Sequence, residues 1–128
     1  QVEAWHEELS QMKRRRSYEW SPTFTPFKYL EGSGGNQTQW LIEELCSSQE
    51  LFKEGKALSH CVGSYAQSCF NKESAILSLT KNGERVATLE INLRSKNLVQ
   101  ARGKANRSLN DKEIRAVDEW MLRDPYFN

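Results

Sequence analysis

From Glu73 onward apolar positions recur every second residue, whereas in the flanking segments they recur every third and fourth. Alternation of this kind over residues 75–80, 85–93 and 97–102 predicts three strands, because only a pleated backbone sends successive side chains to opposite faces. Asn82-Gly83 and Arg94-Ser95-Lys96-Asn97 separate the runs with turn-forming residues, so the strands are expected to form an antiparallel meander. In the middle strand Ala87, Leu89, Ile91 and Leu93 share one face, and Val86, Thr88, Glu90 and Asn92 share the other. A three-residue turn after Leu93 keeps Val99 and Ala101 on the apolar face and sets Gln100 and Arg102 beside Glu90 and Thr88. That second face is unusually polar for a sheet interior.

Before the strands the period is helical. Val2, Trp5, Leu9 and Met12 mark an amphipathic helix over residues 2–16, with Glu3, Glu7 and Glu8 early and Lys13 to Arg16 late, the order that suits the helix dipole. Ser21-Pro22 and Thr25-Pro26 end helical structure, and Trp20, Phe24, Phe27 and Tyr29 suggest an extended segment that packs through its rings. Gly32-Ser33-Gly34-Gly35 follows as a connector whose composition fits a natural loop and an engineered joint alike. Asn36 or Thr38 can cap a short helix carrying Trp40, Leu41 and Leu45. Ser47 to Glu50 reads as a capping box for a helix over 48–63 with Leu51, Phe52, Leu58 and Val62, weakened at Gly55 by about 1 kcal/mol relative to Ala. Asn110 to Glu113 offers a second box for a closing helix whose stripe is Ile114, Val117, Trp120 and Met121. The expected class is α+β: an antiparallel meander of three strands, or slightly more, with helices packed on one face. One compact domain is expected, with residues 1–35 as an N-terminal helix, aromatic segment and connector, and residues 36–128 as the core.

Charge changes this picture little. Eighteen Lys and Arg against 17 Asp and Glu give a net charge of +1, so no global field points to a polyanion, and any nucleic-acid signal must be local. Cys46, Cys61 and Cys69 are odd in number and include no CxxC, which argues against a disulfide scaffold and fits a reducing cytoplasm. No apolar run reaches the length of a membrane span or signal peptide, so the expectation is a cytoplasmic chain without membrane contact. The start at Gln1 suggests a piece of a longer protein.

Two stretches carry candidate chemistry. In "EGKALSHCVGSYAQSC" (54–69), His60 and Cys61 on a helix diverge by about 100° and cannot act as a dyad, while His60 shares a face with Ser64 and Cys61 with Tyr65. The plainer reading is a buried thiol beside a histidine that caps carbonyls at a helix end. His60, Cys61 and Cys69 lack the usual zinc spacing, so no metal is expected. In "LVQARGKANR" (98–107), Gln100, Arg102, Lys104, Asn106 and Arg107 follow a strand and leave it at Gly103, offering donors around one turn to an anion. Glu90, in the middle of a strand, needs a partner, and an ion pair with Arg102 across neighbouring strands would supply one. Lys13 to Arg16 reads as a solvated helix end able to touch phosphate.

Glu54-Gly55, Leu58, "HCVGSY" at 60–65, "ATLEI" at 87–91, "QARGKAN" at 100–106 and Trp120 together resemble the PcfJ-like family, over a span from about Trp40 to Trp120. The resemblance implies an association with conjugative plasmids, prophages and related mobile elements of bacteria. It brings no established reaction and no cofactor. It promotes His60, Cys61, Tyr65, Glu90, Gln100, Arg102, Lys104 and Asn106 from packing residues to site candidates. Three functions follow as expectations. The preferred one is a nucleic-acid-binding domain with Arg102, Lys104 and Arg107 on phosphates and Tyr65 or Trp20 stacking on bases. The second is a nucleic-acid- or nucleotide-processing enzyme, with His60 and Glu90 as acid, base or metal-holder and Cys61 as a nucleophile if another base activates it. The third is a protein-docking module of a DNA-transfer complex.

Overall fold

The computed structural model describes residues 17–128, so the helix expected over 2–16 and its basic end lie outside the described residues. Five antiparallel strands form one sheet in sequence order: β1 (Phe27–Glu31), β2 (Thr38–Glu44), β3 (Ser74–Lys81), β4 (Glu84–Asn92) and β5 (Asn97–Gly103). The three expected strands are β3 to β5. The aromatic extended segment supplies β1, and the Gly-rich connector is the loop of the β1–β2 hairpin, with Gly32 at φ +94. A Cβ on Gly32 would lie 2.8 Å from the Asn36 carbonyl oxygen, so that turn requires glycine.

The short helix expected around Trp40 is instead strand β2. Trp40, Leu41 and Leu45 satisfy helical spacing, but Trp40, Ile42 and Glu44 also alternate with Leu41 and Glu43, and hydrogen bonding to β1 on one side and β3 on the other decides for the strand. Twenty-nine residues, 45–73, link β2 to its neighbour β3. They carry α1 (Ser48–Leu58), a 3₁₀ turn (Gly63–Tyr65) and α2 (Ala66–Phe70). After β5 a second 3₁₀ turn (Lys104–Asn106) leads to α3 (Asp111–Arg123).

Helices lie on both faces of the sheet, not on one. On the apolar face, pairs such as Ile42↔Leu79, Leu79↔Ala87 and Leu77↔Leu89 line up across the strands and pack with Phe24 and with Ala116, Val117 and Trp120 of α3. Trp120 is fully buried, with Phe24 and Phe127 in edge contact on it. Ile114, expected in that stripe, is 45% exposed, and Ala116 takes its place. On the opposite face a second cluster joins Leu51 of α1 to Leu45, Val62, Cys69 and Ile76. The physical reason is α1 itself: the β2–β3 connection carries an amphipathic helix whose apolar stripe must be buried, and the other face is already occupied.

Turn chemistry sets the register that matters for function. Asn82 (φ 49) and Gly83 (φ 87) form the left-handed pair of a tight hairpin. At the next hairpin the Asn92 side chain accepts from the amides of Arg94 and Ser95, and β5 returns with Gln100 opposite Glu90 and Arg102 opposite Thr88, as the spacing predicts. A register shift then sets Leu98 opposite Ile91, so Val99 is the extra residue of a bulge and is 53% exposed, not on the apolar face.

Candidate functional site

The helix expected to run to residue 63 stops at Leu58. Ser47 caps its start by accepting from the Glu50 amide, while Glu50 accepts from the amide of Cys46, one residue earlier than the box motif expects. At the far end Ser59 takes left-handed φ/ψ (55, 50), and the amide of His60 returns to the Gly55 carbonyl at 3.1 Å. This is the six-to-one bond of a Schellman stop, with serine where glycine is usual. His60 and Cys61 therefore leave the helix axis, and the helical divergence argued for them does not apply. His60 is 6% exposed and turns onto the polar face of the sheet, where its Nε2 lies 2.8 Å from Thr88 Oγ1.

Behind that contact stands a fully buried carboxylate, Glu54, on the sheet-facing side of α1. Its Oε2 accepts from Thr88 Oγ1 at 2.5 Å, and its Oε1 accepts from Ser78 Oγ at 2.8 Å and from the guanidinium of Arg85. A buried carboxylate without donors would cost several kcal/mol, and these donors from β3 and β4 make it tolerable. Neither Glu54 nor Thr88, Ser78 and Arg85 stood among the candidate site residues. The signal was present, since Glu54 lies between Leu51 and Leu58 at helical spacing, on the stripe that must be buried.

Next to this network a cleft of about 60 Å³ opens, lined by residues that include His60, Cys61, Tyr65, Glu90, Gln100, Arg102 and Asn106. Most of the candidate constellation thus converges. The expected Glu90–Arg102 ion pair is absent among the described residues: Glu90 Oε1 accepts instead from Tyr65 Oη at 3.0 Å and from Gln100 Nε2 at 2.8 Å, the residue directly across the ladder. Burial, then the bond to Glu90, raises the Tyr65 phenol above its ordinary pKa, which keeps it a proton donor at neutral pH. The Arg102 side chain makes no hydrogen bond or ion pair to a described residue and stands as an unneutralised cation on the wall of the cleft.

Asn106 reaches the cleft from a strained turn. Ala105 (φ 54) and Asn106 (φ 64) both occupy the left-handed region, and the turn is closed by the Arg107 amide on the Lys104 carbonyl at 3.1 Å and the Gly103 amide on the Arg107 carbonyl at 2.8 Å. Alanine there costs about 1 kcal/mol or more, the kind of strain that collects at working sites. Arg107, expected on phosphate, clamps the turn from outside. Its Nη1 and Nη2 donate to the two carboxylate oxygens of Glu113 at 2.9 and 2.8 Å, and Glu113 also completes the capping box of α3 with Asn110. Lys104 is exposed and does not line the cleft.

Cys61, expected to be buried, is exposed on the cleft and outside any disulfide, whereas Cys69 is buried and its thiol is pushed up to about 12, chiefly by desolvation. Trp20, offered as a base-stacking ring, packs against the second hydrophobic cluster and is not among the cleft residues. Among the described residues, no group of three or more His, Cys, Asp or Glu could hold a metal ion, and no helix is long and apolar enough to cross a membrane.

No curated protein and no solved structure matches this sequence. A family model does match, over residues 1–117, which extends the likeness through the N-terminal segment and ends it short of Trp120. The convergence of "HCVGSY", "ATLEI" and "QARGKAN" on one cleft accords with that match, and the chain belongs to the PcfJ-like protein family.

Proposed function

We propose that this domain processes a nucleic acid or nucleotide at a phosphate group held in the His60–Glu90–Arg102 cleft. The observation that carries the reading is convergence: a histidine, a tyrosine, a carboxylate, two carboxamides and an unpaired arginine, drawn from four separate elements and the loop after α1, line one small opening. Packing alone gives no reason to leave Arg102 without a carboxylate while Glu90 sits two residues from the Thr88 it faces. An anion that enters from solvent supplies that carboxylate's place, with Asn106 as a neutral hydrogen-bonding group beside it. One water needs about 10–15 Å³ in the same measure, so about 60 Å³ admits a phosphate-sized group and leaves base and sugar outside.

Within this reading His60 is the proton-transfer group and Arg102 the donor to a developing negative charge. Glu90 orients Tyr65 and Gln100 rather than neutralising Arg102. Phosphate recognition moves from the basic turn of Lys104 and Arg107 to Arg102, because Arg107 is already committed to Glu113. The mobile-element association implied by the family resemblance makes nucleic acid the natural substrate class.

The test is turnover of labelled single- and double-stranded DNA and RNA oligonucleotides and of nucleotides, with melting curves as the control for folding. His60→Ala should abolish turnover and leave binding largely intact. Arg102→Ala should weaken binding and reduce its salt slope by about 0.7–0.9, one phosphate contact. Wild-type protein that binds oligonucleotides in a salt-dependent way without turnover would make the domain a binding module. Protein that does neither at low ionic strength would overturn the reading and leave docking to a protein partner.

A further inference from the structure

The fixed charges around the cleft are few, and their count bears on which phosphate fits. Among the described residues, the carboxylates and basic side chains that line it are Glu90 of β4 and Arg102 of β5. His60, Cys61 and Tyr65 are the other titratable groups that face it, and behind Thr88 lies the Glu54 carboxylate, whose charge Arg85 matches. An entering anion therefore meets one cation with a carboxylate beside it. The attraction of an ion to a single arginine grows in proportion to its charge, whereas the cost of taking it out of water grows as the square. With no second cation to meet it, a second negative charge costs more than it gains, and Glu90 repels it as well. Shape points the same way. A guanidinium fork takes two oxygens side by side, the number a phosphodiester leaves free, whereas a terminal phosphate carries three. The other two oxygens of a diester lead to sugars, and a cleft of about 60 Å³ holds the phosphate alone, so both arms must leave it. β5 is the last strand of the sheet, which leaves the Arg102 side of the cleft without a covering strand.

We infer that the cleft selects the singly charged phosphodiester within a polynucleotide chain over the doubly charged terminal phosphate of a nucleotide, and that Glu90 is the residue that sets this preference. This deepens the proposed function, which leaves both substrate classes open, and rests on it for the presence of a phosphate at Arg102. Glu90 then has a second role beside that of acceptor for Tyr65 and Gln100. A glutamine in its place would also accept from both donors through its amide oxygen, so the acceptor role alone does not require a carboxylate. Rejection of a second negative charge does.

Two ligands that differ by one methyl group separate charge from size: thymidine 5′-monophosphate and its methyl ester, titrated into the whole chain and followed by NMR at the amides of Gln100, Arg102 and Asn106. The uridine pair is run alongside, so that a preference for one sugar does not pass for absence of binding. The second pKa of the monophosphate is about 6, so at about pH 7.5 it is close to doubly charged, while the ester stays singly charged. At that pH and low salt the ester should bind roughly tenfold more tightly. Thymidylyl-thymidine, with one internal diester and no terminal phosphate, should bind at least as tightly as the ester. Between about pH 7.5 and 5.5 the gap should close as the monophosphate takes up its proton. Titration of His60, Cys61 or Tyr65 enters both affinities, so their ratio reports the charge of the ligand. Glu90→Gln should shrink the gap at pH 7.5 to about threefold or less, and the pH series on the wild type serves should that variant not fold. A monophosphate that binds at pH 7.5 as tightly as its ester, with shifts at the cleft, overturns the inference while the phosphate site of the proposed function stands. A preference for the ester that folded Glu90→Gln leaves intact overturns the role of Glu90. If none of the ligands moves the cleft amides at low ionic strength, the proposed function falls and this inference with it.

Discussion

Arg107 separates a ligand-binding basic turn from a structural clamp, and Arg107→Ala tests the difference. The guanidinium makes two charge-assisted bonds to Glu113, and Glu113 is only 3% exposed although Arg107 is 42% exposed. Breaking a buried ion pair costs about 3–5 kcal/mol because the surviving charge is stranded. Here truncation opens the pair to water, and Glu113 keeps its bond from the Asn110 amide, so the expected loss is about 2–3 kcal/mol. Urea unfolding at pH 7 measures it: with a slope of about 2 kcal/mol per molar, the midpoint should fall by about 1–1.5 M.

The pH dependence fixes the cause. The Arg107 bond, partly opposed by burial, holds the Glu113 carboxyl below its ordinary value. A carboxyl lowered in the folded state contributes stability that is full above its unfolded pKa of about 4.3 and is lost as pH falls through the folded value. The gap between wild type and Arg107→Ala should therefore be widest at neutral pH and narrow below about pH 4. Oligonucleotide binding by the folded variant should keep the wild-type salt slope. A gap under about 0.5 kcal/mol at pH 7, a gap indifferent to acid, or a salt slope reduced as much as in Arg102→Ala would each refute the clamp.

Glu54→Ala should cost about 3–5 kcal/mol in urea unfolding, since Arg85, Ser78 and Thr88 all lose their acceptor, and a loss under 1 kcal/mol would contradict the buried network. Ala105→Gly should raise stability by about 1 kcal/mol by relieving the left-handed strain, and a midpoint that falls would show that the turn is not strained there. At pH 8 iodoacetamide should label Cys61 first, with Cys46 and Cys69, pushed up to about 11 and about 12, reacting slowly; peptide mapping that finds Cys69 modified as fast as Cys61 would overturn their assigned environments.

The meander was legible because β3 to β5 carry their own punctuation: Asn82-Gly83 and Asn92 fix two hairpins locally, and the period of two then sets Gln100 on Glu90 without reference to the rest of the chain. β2 was hidden because Trp40, Leu41 and Leu45 fit both periods, and the strands that decide between them lie before and well after it in sequence. The end of α1 was misplaced for a smaller reason. The helix is expected to run on to residue 63, while the left-handed residue that makes the stop is Ser59, a residue type that rarely announces this conformation.

At the site the residue types were legible and their pairing was not. Two carboxylates approach the polar face, Glu54 from α1 and Glu90 from β4, and sequence neighbourhood assigned Glu90 to Arg102. In the fold each carboxylate is filled by other donors: Glu54 by Ser78, Arg85 and Thr88, and Glu90 by Tyr65 and Gln100. Arg107 meanwhile takes Glu113, which had seemed to serve only a helix cap. Had Glu90 closed on Arg102, the cleft would be a neutral, self-satisfied pocket with little use for an anion. Because the described carboxylates nearby are spent on other partners, the charge on Arg102 remains available at the cleft, which is what the proposed anion site requires, and the strained turn that carries Asn106 holds a second polar group beside it.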